Sequence, residues 1–208
     1  MAKARKKFKL PRGVEKARKK FGRALTRHRI VYEILVALLL IGILFFGMRG
    51  TLCLALRTGD PYRGVISDSM NHNDEVDRNR YIQQYGYDPY NVESWRDYFI
   101  QRGYDTSNFP IQGGFERGDL MFVQGVNPLE DIRIGDVIIY SVPYKTIPIV
   151  HRVVEISNAN GEISFTTKGD NPYTNSSPDS PITPDKIIGR VVFVIPKLGY
   201  LSLWMQGQ

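Results

Sequence analysis

Apolar and polar positions fall into two regimes along the chain. Ile34 to Leu56 reads ILVALLLIGILFFGMRGTLCLAL, with Arg49 as its single charge and an uninterrupted apolar stretch of fifteen residues up to Met48. A bilayer core needs roughly 20 helical residues, so this stretch spans a membrane if Arg49 snorkels to the interface or the helix continues past it. Beyond it the apolar residues come in short runs rich in Val, Ile, Phe and Tyr: Gly64 to Ser67, Leu120 to Gln124, Asp136 to Ser141, Ile149 to Ile156, Ile163 to Thr167 and Ile187 to Ile195. Clusters of Gly, Pro, Asn and Asp separate them, among them 125–128, 158–161 and 169–184. Such punctuation predicts a mainly β, mostly antiparallel domain after a single N-terminal transmembrane helix.

One stretch departs from this pattern. Residues 71–118 are polar and aromatic, with tyrosines at 81, 85, 87, 90, 98 and 104 and no strand-like run. We read this stretch as an insertion, partly helical, in which Val92 to Arg102 brings Trp95, Phe99 and Arg102 onto one face and stops at Gly103. The expected organisation is therefore a basic head over 1–29, a transmembrane helix over 30–56 and a β domain over 57–208, interrupted by the insertion at 71–118.

Charge changes the picture at the N-terminus. The formal net charge is +7, yet residues 1–29 hold 13 of the 28 Lys and Arg and only one acid, Glu15. From Arg49 onward 19 acidic side chains outnumber 15 basic ones, so the folded part offers phosphates no cationic face and nucleic acid is not an expected partner. Basic residues crowding the N-terminal flank keep the head in the cytoplasm and export the remainder of the chain, in a single-pass topology at the cell membrane. A cleaved signal peptide would have a shorter charged region and an apolar core of about 7–15 residues. The single cysteine, Cys53, permits neither an intrachain disulfide nor a cysteine-based zinc site. Neither metal-ligand spacing nor a phosphate-cradling glycine loop is present, so no cofactor is expected; Asn175-Ser176-Ser177 forms a glycosylation sequon of low specificity.

The candidate chemistry begins where the strand-like Gly64 to Ser67 runs into Ser67-Asp68-Ser69-Met70. A serine hydroxyl becomes a nucleophile only with a base in hydrogen-bond reach and donors for the developing oxyanion. Outside the head there are two histidines, His72 and His151. His72 stands three residues from Ser69, too near in sequence to face it readily across a turn. His151 lies in Ile149-Val150-His151-Arg152-Val153-Val154, where strand alternation sets it on the opposite face from Val150 and Arg152. Taken singly, a turn serine and a strand histidine are ordinary features.

Their order is not ordinary. Val65-Ile66-Ser67-Asp68-Ser69-Met70 is succeeded, after the insertion, by Gly118-Asp119-Leu120; a second Gly-Asp opens Gly135-Asp136-Val137-Ile138-Ile139-Tyr140. Then come Ile149-Val150-His151-Arg152-Val153-Val154, Thr167-Lys168-Gly169-Asp170-Asn171, Asp179 and Ile188-Gly189-Arg190-Val191. This series resembles the boxes of the type I signal peptidase family from about Val65 to about Leu203, preceded by a membrane anchor, and histidine rather than lysine at 151 resembles its archaeal and endoplasmic-reticulum branch.

The resemblance implies the signal peptidase fold and a membrane-bound serine endopeptidase that removes signal peptides from secretory preproteins after small residues, without a cofactor. It implies Ser69 as nucleophile, His151 as general base, Ser67 with the Ser69 backbone N–H as oxyanion hole, and an aspartate orienting the imidazole. Asp170, in the Gly-Asp-Asn box, and Asp179, at the second acidic position, both qualify, with Asp179 favoured. The lipid bilayer and the protein translocation machinery are the implied partners. Asp68 departs from the family's glycine, which removes freedom for positive φ and adds a carboxylate beside the developing oxyanion. That departure and the Tyr-rich insertion leave open a second class of function, a silent membrane-tethered binding module. A self-cleaving repressor of the related serine-lysine fold would need a nucleic-acid-binding domain and a lysine at 151.

Overall fold

The computed structural model describes residues 12–72, 74–86, 94–173 and 178–205. The first part of the basic head, Tyr87 and Tyr90 of the insertion, its expected helix start at Val92, and the sequon at Asn175-Ser176-Ser177 lie outside them. The chain divides into two compact units, 1–51 and 52–208.

The first unit is carried by one helix, α1 (Arg12–Ala55). No break separates the basic residues from the apolar ones, so the described part of the head is helical. Within α1, Arg29–Ala55 is 27 residues long and apolar enough to cross a membrane. At 1.5 Å per residue it extends about 40 Å, against about 30 Å of hydrocarbon. The helix does continue past Arg49, the condition that the length of the apolar run imposed. It closes at Ala55, and Arg57 adopts φ 53° in the turn beyond it.

The second unit is one seven-stranded sheet in the order β1-β2-β7-β3-β4-β5-β6, with every neighbouring pair antiparallel. The strands are β1 (Tyr62–Gly64), β2 (Leu120–Gln124), β3 (Val137–Tyr140), β4 (Ile149–Ala159), β5 (Glu162–Lys168), β6 (Asp179–Ile182) and β7 (Ile187–Ile195). The domain is thus mainly β and antiparallel, as the punctuated apolar runs predict, and its architecture is consistent with the signal peptidase fold. Two strands differ from expectation. β1 ends at Gly64, although Val65 keeps ladder-like bonds to Asp119 O and from Gly118 N. β6 arises within the polar 169–184 cluster, where no apolar run announces it; the ladder of β5 supplies what its sequence lacks.

Strand alternation explains the two cores. Val137 and Ile139 of β3 point to one face, where they meet Val65, Met70, Phe115, Met121, Val123 and Val191. Ile138 and Tyr140 point to the other, against Ile149, Val153, Phe165 and Ile182. All four β3 side chains are fully buried, as a central strand covered on both faces must be. Each buried aliphatic side chain contributes about 1.5–3 kcal/mol, so β3 is the sheet's thermodynamic centre. β4 and β5 project beyond this core as a hairpin. Its Asn160-Gly161 turn has both residues at positive φ, 56° and 87°, the type I′ geometry that suits strand twist.

The insertion folds as α2 (Asp74–Tyr85), α3 (Trp95–Ile100) and a loop leading into β2. α2 has no apolar stripe to reveal it in sequence. α3 is shorter than expected because Ser94 caps it, its hydroxyl accepting from Asp97 N at 3.2 Å. Trp95 and Phe99 are buried and pack with Val154 of β4, as their spacing predicts. Arg102 falls after the helix and is exposed; its guanidinium lies 3.6 Å from the Tyr98 ring centroid. A short helix C-terminal to β7, α4 (Tyr200–Met205), buries Leu203.

Gly114 fixes the path of the insertion back to the sheet. It has φ 64°, and a Cβ there would stand 2.4 Å from Met70 O, the acceptor of Phe115 N at 3.0 Å. Gly114→Ala is therefore expected to destabilise the domain by about 2 kcal/mol or more, read as a lowered midpoint in denaturant unfolding at constant slope.

Candidate active site

The nucleophile candidate sits in the loop after β1. Ser67 Oγ and Ser69 Oγ are 3.3 Å apart, so the two hydroxyls converge on one side of the segment. The loop is held from the end of β5: Asn171 N donates to Ser69 O at 2.9 Å and Asn171 Nδ2 to Asp68 O at 3.0 Å. Asn171 is 1% exposed, which makes it a fixed clamp. Asp68, at the glycine position of the resembled motif, is not among the residues with positive φ. Its carboxylate accepts from Arg117 N at 3.0 Å, so it is engaged with the end of the insertion.

His151 is buried in β4, opposite Ile138 of β3. Its Nδ1 lies 2.7 Å from Asp179 Oδ2. The Tyr140 hydroxyl donates to the same carboxylate oxygen at 2.9 Å and stands 3.3 Å from His151 Nδ1. Thr167 Oγ1 donates to the Tyr140 oxygen at 2.9 Å. The hydrogen bond from His151 holds the Asp179 carboxyl below the usual carboxylate range, helped by that from Tyr140 against the opposing effect of burial. An ionised carboxylate only accepts, so the Nδ1 proton of His151 and the hydroxyl proton of Tyr140 both point at it. That assigns the neutral imidazole its tautomer, with Nε2 as the basic nitrogen.

Asp170 lies elsewhere. It is 3% exposed and faces Arg152, which is fully buried. Arg152 donates from Nε at 2.9 and 3.1 Å and from Nη2 at 2.6 Å. The remaining guanidinium protons go to the carbonyls of Gly135, Pro110 and Ile111. His72 Nε2 is 2.9 Å from Asp170 Oδ2, and its ring stacks on Trp95 at 5.3 Å between centroids. The Arg152 guanidinium lies 4.5 Å from the same indole centroid. Burial by itself would raise the Asp170 carboxyl; the Arg152 charge and the bonds from His72 and Arg152 outweigh it and hold the group low.

Of the two candidate aspartates, Asp179 therefore contacts the imidazole, while Asp170 closes the buried arginine site on the other face of the sheet. His72 belongs to that second assembly. Sequence reasoning did not single out Tyr140, Thr167 or Arg152. No local signal marks the first two: Tyr140 and His151 share a face only through the β3–β4 register, and Thr167 meets Asp179 only in the β5–β6 register. Met70, next to Ser69 in sequence, and Ile149 of β4 are core, and Leu120 and Phe122 of β2 are half-buried.

The buried ion pair sets a stability prediction. Arg152→Met leaves Asp170 without its counter-ion and should cost about 3–5 kcal/mol. Because the folded carboxyl titrates below its ordinary value of 3.8, its contribution is complete above that pH and is lost as pH falls further. Asp170→Asn should accordingly destabilise the protein at neutral pH and remove part of the acid-side loss, as measured by denaturant unfolding at pH 7 and pH 3.

No family model matches the chain. It is similar to the signal peptidase complex catalytic subunit sec11 of Sclerotinia sclerotiorum, 37% identical over 98 residues, covering 45% of this chain and 57% of the relative. The subunit of Lachancea thermotolerans is 36% identical over 106 residues, 46% of this chain and 60% of the relative. That of Schizosaccharomyces pombe is 32% identical over 120 residues, 46% and 62%. The chain spans about three-fifths of the length of these curated relatives. Over that shared stretch it is a homologue of the catalytic subunits of signal peptidase complexes.

Proposed function

We propose that the chain is a membrane-bound serine endopeptidase that removes N-terminal signal peptides from secretory preproteins after small residues. The observation that carries this reading is the 2.7 Å bond between Asp179 and His151 Nδ1, in a chain whose Ser67-Asp68-Ser69 loop is clamped by Asn171, three residues past the strand that pairs with β4. The names of the similar proteins support the same activity.

The Ser69 Oγ attacks the scissile carbonyl carbon as His151 Nε2 takes its proton. The tetrahedral oxyanion accepts from the Ser67 hydroxyl and the Ser69 N–H; a donor of this kind contributes about 3–4 kcal/mol to the transition state. Asp179 stabilises the imidazolium without taking its proton. The imidazolium then protonates the leaving amine, the C–N bond breaks and an ester on Ser69 remains. Water, deprotonated by His151, hydrolyses this ester and releases the cleaved signal peptide with a new carboxylate. The residues supply all the acid and base the sequence of steps needs.

The substrate is an extended peptide emerging from the membrane. Residues 29–55 would anchor the enzyme in the bilayer, the head would lie in the cytoplasm, and the β domain would work on the extracytoplasmic face, in reach of the translocation machinery. The position of Asp68 supports the peptidase over a silent module on one of the two counts that left the latter open, since its carboxylate is engaged by Arg117 N and its backbone is not at positive φ.

The test is cleavage of a model preprotein in detergent micelles by the intact chain. Cutting at the small-residue site is expected, with Ser69→Ala and His151→Ala losing it. Asp179→Asn should lower kcat by about 10³-fold or more, because an amide can hold the wrong tautomer. Asp68→Gly, which opens the clasp on Arg117, should lower the rate and not raise it. An intact chain that leaves the preprotein uncut would refute the reading.

A further inference from the structure

We infer that Tyr140 is a positioning residue for the general base, holding Asp179 on His151 through its hydroxyl, with Thr167 holding Tyr140 in turn. This rests on the Ser69–His151 reading and adds to it a residue outside the Ser-His-Asp set.

The geometry makes the chain of bonds directional. Tyr140 is fully buried, so its hydroxyl finds its partners in the protein. It has one proton and two lone pairs. Asp179 Oδ2, 2.9 Å away, takes the proton. Thr167 Oγ1, at 2.9 Å, donates to one lone pair, and His151 Nδ1, at 3.3 Å, borders the other. Thr167 is itself fully buried, so its hydroxyl is committed. A tyrosine kept only for its ring would have its hydroxyl at the wet end of the core; here the hydroxyl is at the Asp179 carboxylate, which touches the imidazole.

Asp179 has particular need of such a holder. It opens β6, the short edge strand, and its side chain is 30% exposed. An edge aspartate has other rotamers available in water, and a second donor fixed in the central strand β3 removes them. The bond also acts electronically. Tyr140 and His151 share Oδ2, so the tyrosine proton draws charge from the oxygen that the imidazolium needs, and a donation into Tyr140 from Thr167 strengthens that draw. Other charge facing the carboxylate comes from Lys145 in the β3–β4 connection, which neither Tyr140→Phe nor Thr167→Val removes. The triad is thereby tuned as well as held.

Two consequences separate this from a packing role. In Tyr140→Phe the ring remains and the hydroxyl is lost. Oδ2 then keeps its full charge for His151, so the imidazolium is favoured and the acid limb of the kcat/KM profile moves to higher pH, by about half a unit. At the plateau kcat falls about tenfold, the ratio expected for losing one hydrogen bond to a charged group, while KM stays within about twofold because no substrate contact is touched. Thr167→Val gives a shift of the same sign and smaller size.

The experiment measures kcat and KM for the model preprotein from pH 5 to 9, using the full chain in micelles, for the parent, Tyr140→Phe, Thr167→Val and His151→Ala, with thermal unfolding of each. The inference is supported if Tyr140→Phe shows the upward limb shift and the loss in kcat while its unfolding midpoint shows it folded at the assay temperature. It is overturned if the parent is active, His151→Ala is dead and Tyr140→Phe, folded at the assay temperature, keeps the parental pH limb or moves it downward. A parent that does not cleave, or a His151→Ala that does, overturns the Ser–His reading instead. If Tyr140→Phe is unfolded at the assay temperature, Thr167→Val decides by the same limb.

Discussion

Arg152 and Asp170 meet where no water reaches, one fully buried and the other nearly so, and much of the domain is arranged to make that tolerable. An ion pair taken out of water costs several kcal/mol per charge unless the remaining protons and lone pairs are also satisfied. Here three carbonyls complete the guanidinium and His72 completes the carboxylate. Two of those carbonyls, Pro110 and Ile111, belong to the insertion, so the insertion is bound to the sheet through the charge it helps to solvate. The indole of Trp95 adds a cation–π face on the same group. Asn171, next in sequence to Asp170, turns this anchored corner into a clamp on the Ser69 loop.

Consecutive residues of one strand thereby divide the work. Pleating sends His151 to one face, with Tyr140, Asp179 and Thr167, and Arg152 to the other, with Asp170, His72 and Trp95. A register slip of one residue would exchange these faces and leave a buried guanidinium against the apolar side of the sheet, a cost far larger than any local propensity. The buried ion pair thus fixes the phase of β4, and the phase of β4 is what aims the imidazole. Stability on one side of the sheet and geometry on the other are the same constraint read twice.

Much of this was legible in the chain. The strand runs, the polarity of the insertion, the α3 face carrying Trp95 and Phe99, and the side of the strand occupied by His151 all derive from local periodicity, which a sequence displays directly. What escaped depends on pairing between distant segments. Sequence favours Asp179 over Asp170, but what brings Asp179 to the imidazole is the ladder of β6 on β5, and Asp-Ser-Pro-Ile carries no apolar alternation to reveal a strand. Alternation sets Arg152 on the face opposite His151, but that it is buried shows only once the insertion is folded over it. Tyr140 stands in the sequence only as the end of the run that Gly135 opens; the β3–β4 register is what brings its hydroxyl to the imidazole. α2, rich in charge and poor in apolar residues, gives no stripe for periodicity to detect.

Asp68 shows how a departure from an expected pattern is decided by backbone and partner together. Glycine at such a position would offer positive φ and freedom from a side chain near the developing charge. The backbone at 68 does not use positive φ, so the first advantage is void. The second turns on where the carboxylate goes, and a backbone N–H of the insertion holds it. A charge whose lone pair is bound to a fixed donor opposes a neighbouring oxyanion less than one free to approach it, and the same bond adds a second fastening to a loop already held by Asn171. In a chain whose insertion returns to the Ser69 loop at Gly114 and Arg117, aspartate serves as a fastening that glycine could not provide.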